Sequence, residues 1–261
     1  MPKLSANLTM LFTEYDFLTR FEKASKAGFK GVEYLSPFDF EKEVIAGRLR
    51  SSGLKQVLFN LPAGDWPAGE RGIACLPNRV GEFQDGVGLA VEYARALDCR
   101  QLNCLAGIRP DGADDDILLD TLLENLKFAA KELGGTGIRL LLEPINSYDI
   151  PGFFVNTSRQ GLAIIDAVAS GNLCLQYDIY HMQRMEGELA NTIEASLARI
   201  GHIQIADNPG RHEPGTGEIN YAFLLPFIDR IGYTDWIGCE YMPSRDTESG
   251  LGWLRPYLSR E

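Results

Sequence analysis

The chain has 261 residues, 45% of them hydrophobic, enough to bury one large core in a single domain spanning 1–261. A formal net charge of −11 and a pI near 4.8 argue against nucleic acid or an anionic membrane as partner. Three histidines are too few for an imidazole-rich multi-zinc centre, and no apolar run approaches the ~18 residues that a membrane-spanning helix needs.

Strand-like and helix-like segments alternate along the whole length. The first strand, LSANLTM (4–10), leads into an amphipathic stretch, YDFLTRFEKASKAGF, and then a second strand, GVEYL (31–35). LKQVLFN (54–60) is followed by the helical GEFQDGVGLAVEYARAL, and RQLNCL (100–105) by ILLDTLLENLKFAAKEL, in which Leu118, Leu122, Leu126 and Ala129 fall near helical spacing. ADDD (113–116) fits the start of that helix and GGTG (134–137) the turn after it. IRLLLE (138–143) precedes SRQGLAIIDAVASG, where a serine suits the cap and glycine the end. LCLQYD (173–178), HIQIAD (202–207) and WIGCE (236–240) complete the set.

Eight strands with intervening helices predict an α/β fold, a (β/α)8 TIM barrel. The alternative is a doubly wound open sheet, which often carries a glycine-rich first turn. No GxGxxG follows a strand here, and GxxxxGK[ST] is absent. Five cysteines (75, 99, 104, 174, 239) lack CxxC pairing; Cys104, Cys174 and Cys239 sit in apolar strand-like runs and read as small core residues, and the protein as reduced and cytoplasmic. The amino terminus lacks the order of a signal peptide.

In such barrels chemistry sits at the carboxyl ends of the strands. Strand five ends in Glu143, strand six in Asp178, strand seven carries Gln204 and strand eight ends in Glu240. Each acid alone could cap a helix or pair with a loop cation. Four oxygen-bearing side chains on consecutive strands suggest a site, and burying three carboxylates together needs positive charge. Oxygen ligands suit a hard divalent cation, Mg²⁺ or Mn²⁺, with Gln204 as the neutral ligand. Glu33 is read either as a supporting residue of the site or as a group hydrogen-bonded near the barrel floor.

The segments NLPAGDWPAGERGIACLP (60–77), LLEPIN (141–146), QYDIYHMQRMEGEL (176–189) and HIQIADNPGRHEPGTGEINY (202–221) are similar to those of the hydroxypyruvate isomerase family, within the xylose-isomerase-like barrels. The resemblance covers nearly the whole chain. It implies isomerisation of hydroxypyruvate to tartronate semialdehyde through an enediolate, with Glu143 and Glu240 exchanging protons with substrate. It further implies that Glu143, Asp178, Gln204 and Glu240 surround a metal, that His181 and Arg211 contact substrate, and that the protein forms a homo-oligomer. Epimerase relatives carry histidine where this chain has Gln204. The substrate is a small anionic hydroxy-oxo acid whose carboxylate needs cations. Arg71 and Arg211 are the candidates because both lie in glycine-containing loops. Trp66 either shields the site from water or anchors its loop. The competing readings are a 2-oxo-tetronate isomerase, a ketose 3-epimerase, a non-catalytic barrel and an apurinic-site endonuclease, the last disfavoured by charge and histidine count.

Overall fold

Short apolar strands separated by amphipathic helices can bury both faces of a parallel sheet by closing it and ringing it with the helices. The computed structural model, described over residues 2–257, does this. The strands are β1 (Lys3–Asn7), β2 (Gly31–Glu33), β3 (Lys55–Asn60), β4 (Gln101–Cys104), β5 (Arg139–Leu142), β6 (Leu173–Asp178), β7 (Ile200–Ile205) and β8 (Trp236–Cys239). They form a closed barrel in sequence order, and β8 pairs in parallel with β1. The main helices are α1 (Phe17–Lys26), α2 (Lys42–Ser52), α3 (Val80–Ala96), α4 (Asp115–Gly134), α5 (Ser158–Val168), α6 (Ile179–Met185), α7 (Leu189–Ser196) and α8 (Tyr221–Arg230).

All eight expected strands are present, with small differences at their ends. β1 stops at Asn7 rather than Met10 because the chain turns there. The Asn7 carbonyl accepts from the Met10 and Leu11 amides, and its side-chain oxygen accepts from Thr9. Asp114 caps α4 by accepting from the Asp116 and Ile117 amides, in keeping with the helix start expected at ADDD. α5 is capped by Thr157 rather than Ser158 and ends at Ala169, in the left-handed region, short of the expected glycine. The five cysteines are free, four of them buried. No helix among the described residues is long and apolar enough to cross a membrane.

The barrel interior is stratified. Near the amino ends of the strands, Val57, Leu58 and Leu141 form a small apolar cluster against Trp236. Above it lie buried polar side chains, among them Ser5, Asn7, Glu33, Asn103, Gln176, His202 and Gln204. Two register shifts assist this: one in the β2–β3 pairing beside Glu33 and one in the β6–β7 pairing beside His202. Bulges of this kind re-aim a side chain. Here both aim inward, and Glu33 Oε2 lies 2.9 Å from His202 Nε2.

Gly238 leaves the space that Glu33 fills. A Cβ there would lie 2.2 Å from Glu33 Oε1 and 2.4 Å from Oε2. Gly238→Ala is therefore expected to destabilise the barrel by about 1–3 kcal/mol, the usual cost of overpacking. Chemical denaturation checks this; an unchanged midpoint would show that Glu33 can move aside.

Candidate active site

Two of the strand-end acids, Glu143 and Glu240, line a cavity of about 440 Å³ at the carboxyl mouth of the barrel, together with His181, Arg211, Arg71 and Trp66 among others. A larger cavity, about 960 Å³, opens at the opposite end beside Lys55, Arg139 and Trp236, and none of the clustered acids lines it.

Glu143 directly follows β5 and is buried, with Oε2 accepting from Asn103 Nδ2 at 2.7 Å. Burial, with the charge of Asp178 adding to it, pushes its carboxyl up to about 8. Asp178 ends β6 and caps α6, so that its Oδ1 accepts from the amides of Tyr180 (2.8 Å) and His181 (3.3 Å). Its Oδ2 is buried and has no hydrogen-bond partner among the described residues. Burial raises the proton affinity of Asp178, although Arg211 and the two amides oppose it.

Glu240 directly follows β8. Its Oε1 accepts from Arg211 Nη2 at 2.7 Å, and its Oε2 from Asn7 Nδ2 at 2.8 Å and Gln204 Nε2 at 2.5 Å. Burial holds this carboxyl well above the ordinary range, against the pull of Arg211. The Arg211 guanidinium also stands 3.8 Å from Asp178 Oδ2 and lies over the Tyr180 ring. Burial opposes its charge, but Glu240, Asp178 and Glu143 outweigh burial and tighten its hold on the proton. Arg211 has φ +54°, a left-handed backbone that a long side chain adopts only when its surroundings enforce it.

Gln204 differs from the expected oxygen ligand. Its Oε1 accepts from Gln176 Nε2 at 2.7 Å, while its Nε2 donates to Glu33 Oε1 at 2.8 Å as well as to Glu240. The reason is Glu33, whose carboxylate also accepts from Ser5 Oγ at 2.8 Å and is held ionised by His202 despite burial. A carboxylate below and another above both demand donors, so the amide presents NH₂ to each. His202 and Gln204, two residues apart on one face of β7, are thus both partners of Glu33.

The ligand atoms that do gather belong to Glu143, Asp178 and His181, all within 4.8 Å of one another. Of the expected set, Glu143 and Asp178 are together, Glu240 is paired with Arg211, and Gln204 turns its nitrogen toward Glu240. The Asp178 Oδ2, unpartnered among the described residues, beside the buried Glu143 carboxyl fits a hard divalent cation, which would offset the burial that raises both acids and the charge that Asp178 sets against Glu143. His181 is buried, with Nδ1 2.6 Å from Asn146 Nδ2, and burial, Arg211 and Arg184 keep it neutral.

Because Glu143 holds its proton more tightly folded than unfolded, the stability it confers is fully present below its unfolded value of about 4.5 and is lost as pH rises through about 8, and the raised Asp178 and Glu240 carboxyls act in the same direction. Metal-free protein should therefore melt lower at about pH 9 than at about pH 6. Added Mn²⁺ should raise the melting temperature more at the higher pH; equal shifts at both would show that the ion binds elsewhere.

Arg71 Nη1 donates to the backbone carbonyls of Trp66 (3.0 Å) and Glu70 (2.7 Å), and its guanidinium stacks 3.9 Å from the Trp66 ring centroid. Trp66 itself is 39% exposed and lines the cavity. Arg184, absent from the sequence reading, also lines the cavity and pairs with Asp149. Asn7, Asn103 and Gln176 were missed too. Each stands near a strand's carboxyl end in step with the inward-facing positions, which is the signal that could have found them.

A family model described as xylose isomerase-like TIM barrel matches residues 21–257. A hydroxypyruvate isomerase of Escherichia coli strain K12 is 56% identical over 257 residues, covering 98% of this chain and all of that protein. A 2-oxo-tetronate isomerase of Cupriavidus necator is 46% identical over 260 residues, covering 100% of each. A solved structure from Brucella melitensis, described as an AP endonuclease of family 2, superposes with a TM-score of 0.97 at 45% identity, covering 99% of this chain and 100% of that one. The chain belongs to the xylose isomerase-like TIM barrels and, within them, to the hydroxypyruvate isomerase family.

Proposed function

We propose that this protein interconverts hydroxypyruvate and tartronate semialdehyde (2-hydroxy-3-oxopropanoate), an aldose–ketose type isomerisation through an enediolate. The observation that carries this is the pair of buried acids, Glu143 and Glu240, on separate strands at one cavity with Arg211 at their side. One carboxylate removes the proton from the hydroxyl-bearing carbon of hydroxypyruvate. A proton returns to the neighbouring carbon, and the hydroxyl proton passes to the former carbonyl oxygen. A base works best when its proton affinity lies near the working pH, which is where burial places Glu143. The Arg211 charge and the His181 ring stand beside the position where the oxyanion develops. A divalent cation, Mg²⁺ or Mn²⁺, held by Glu143 and Asp178 would supply Lewis-acid stabilisation of charge on the substrate oxygens.

The substrate carboxylate is assigned to Arg71. Of the described arginines lining the cavity, Arg184 is paired with Asp149 and Arg211 with Glu240, whereas Arg71 is bound to carbonyl oxygens and makes no ion pair with a described carboxylate. Arg71→Met is expected to raise KM about tenfold, roughly the worth of a hydrogen bond to a charged group, with kcat changed less. An unchanged KM in steady-state kinetics would remove Arg71 from this role. The net charge of −11 and the modest cavity support a small metabolite rather than a nucleic acid as partner, and the free cysteines support a reducing compartment such as the cytoplasm.

A four-carbon 2-oxo-tetronate is the second reading. About 440 Å³ is more room than a three-carbon acid needs, and the Cupriavidus relative bears that name. Proton NMR in D₂O with each acid, with and without EDTA, tests both. Conversion of hydroxypyruvate with deuterium at the newly protonated carbon is expected. Absence of both conversion and exchange with hydroxypyruvate would overturn the first reading.

A further inference from the structure

We propose that Asn146 locks His181 in the tautomer that carries its proton on Nε2, so that His181 is a standing hydrogen-bond donor to the substrate and not a metal ligand. The donor role rests on the isomerase reading above; the tautomer rests on geometry alone. Asn146 is fully buried three residues beyond Glu143. Its Oδ1 accepts from the backbone amides of Tyr148 (3.0 Å) and Asp149 (2.8 Å). Backbone N–H groups only donate, so this end of the side chain must be the oxygen. The other end is therefore NH₂, and its two protons meet two acceptors, Asp149 Oδ2 at 3.1 Å and His181 Nδ1 at 2.6 Å.

A ring nitrogen that receives a hydrogen bond carries a lone pair, not a proton. The single proton of neutral imidazole then sits on Nε2. An imidazolium would set Nδ1–H against the Asn146 NH₂, and the nearby Arg211 and Arg184 charges oppose it as well. The orientation of Asn146 is itself secured from outside. Asp149 Oδ2 also accepts from the Tyr180 hydroxyl at 2.9 Å, and Asp149 Oδ1 is paired with Arg184. The chain Arg184–Asp149–Asn146–His181 thus runs from the cavity rim to the reacting centre.

His181 Nε2 lies 3.6 Å from the unpartnered Asp178 Oδ2, too far for a hydrogen bond, and borders the cavity. A substrate oxygen entering there meets a fixed N–H that needs no reorganisation as charge develops. A protonated nitrogen has no lone pair for a cation, so Glu143 and Asp178 would hold the ion through oxygen alone, which matches a hard metal. Asn146 is a positioning residue in this scheme.

The chain has only three histidines, His181, His202 and His212, so ¹⁵N-histidine labelling with long-range ¹H–¹⁵N correlation reads every ring directly. For His181 at neutral pH the expected pattern is a bare Nδ1 and a protonated Nε2, unchanged by saturating Mg²⁺. A protonated Nδ1, an imidazolium pattern, or loss of the Nε2 proton on adding Mg²⁺ would overturn the proposal. In Asn146→Asp the carboxylate becomes an acceptor toward Nδ1. The His181 pattern should then move to a protonated Nδ1, with kcat falling about 10²-fold, the cost of losing one oriented donor, and KM within about threefold. A purely structural role for Asn146 would lower stability without moving the tautomer, and that result would also overturn the proposal. The NMR pattern needs no substrate. If the predicted tautomer is found in a protein that fails to turn over hydroxypyruvate, the isomerase reading falls and the Asn146–His181 assignment stands.

Discussion

Glu143→Gln is expected to lower kcat with hydroxypyruvate by about 10²–10⁴-fold, and Glu240→Gln by a similar factor, the usual contribution of a positioned acid–base group. The two variants should part company in stability. Glu143 is an acid that burial and Asp178 hold in an unfavourable charge state, and its nearest donor, Asn103 Nδ2, is as well served by a glutamine oxygen. Above the pH at which Glu143 ionises, about 8, removing its charge relieves repulsion, so there Glu143→Gln should melt at or above the temperature of the unaltered protein. Glu240 is the closest carboxylate to Arg211, at 2.7 Å, and it also accepts from Asn7 and Gln204. Once Glu240 has ionised, a glutamine there leaves a buried guanidinium short of its main counter-charge, so in that same alkaline range Glu240→Gln should melt lower. Steady-state kinetics and thermal melts on the two variants check both halves. Turnover within about tenfold of the original in either variant would end its assignment as a proton-transfer group.

Arg211→Met is expected to cost about 3–5 kcal/mol, the range seen when one member of a buried ion pair is removed. For a chain of this size that corresponds to a fall of roughly 6–20 °C in melting temperature, at about 2–4 °C per kcal/mol. Methionine keeps an unbranched apolar stem but takes away the guanidinium that faces Glu240, Asp178 and Glu143. The loss should depend on pH. At low pH the three carboxyls take up protons and hardly miss the guanidinium; as pH rises through the region where they ionise, the penalty grows. A destabilisation independent of pH would mean that Arg211 acts through packing on Tyr180 rather than through charge. Turnover should fall as well, because the cation beside the developing enediolate is gone.

The barrel was legible in the sequence because its cause is local. Alternating polar and apolar residues at strand period, and apolar residues at helical period, arise from backbone geometry that each segment carries by itself. Glu143, Asp178 and Glu240 were locatable for the same reason. Once strand ends are known, closed topology brings consecutive ends together, so acids at those ends must approach one another. The cationic need of such a cluster follows from electrostatics alone.

What supplies the positive charge and which way each amide faces lay outside the reach of the sequence. Gln204 reads as an oxygen ligand until Glu33, 171 residues earlier, is found beneath it claiming its nitrogen. Glu143 takes a donor from Asn103, 40 residues away, and Glu240 one from Asn7, 233 residues away. Arg211 could have paired with any acid at the barrel mouth; the folded chain, left-handed at Arg211, sets its guanidinium 2.7 Å from Glu240 and 3.8 Å from Asp178. The proton on His181 is settled by Asn146, whose own orientation depends on two backbone amides and on Arg184 across the cavity rim. The sequence alone therefore determined the closed barrel and the ring of acids at its carboxyl mouth, because periodicity and strand order are properties of each segment. The pairing of charges and the direction of every donor were decided by the tertiary structure, because a hydrogen bond depends on distances of a few ångströms between groups far apart in the chain.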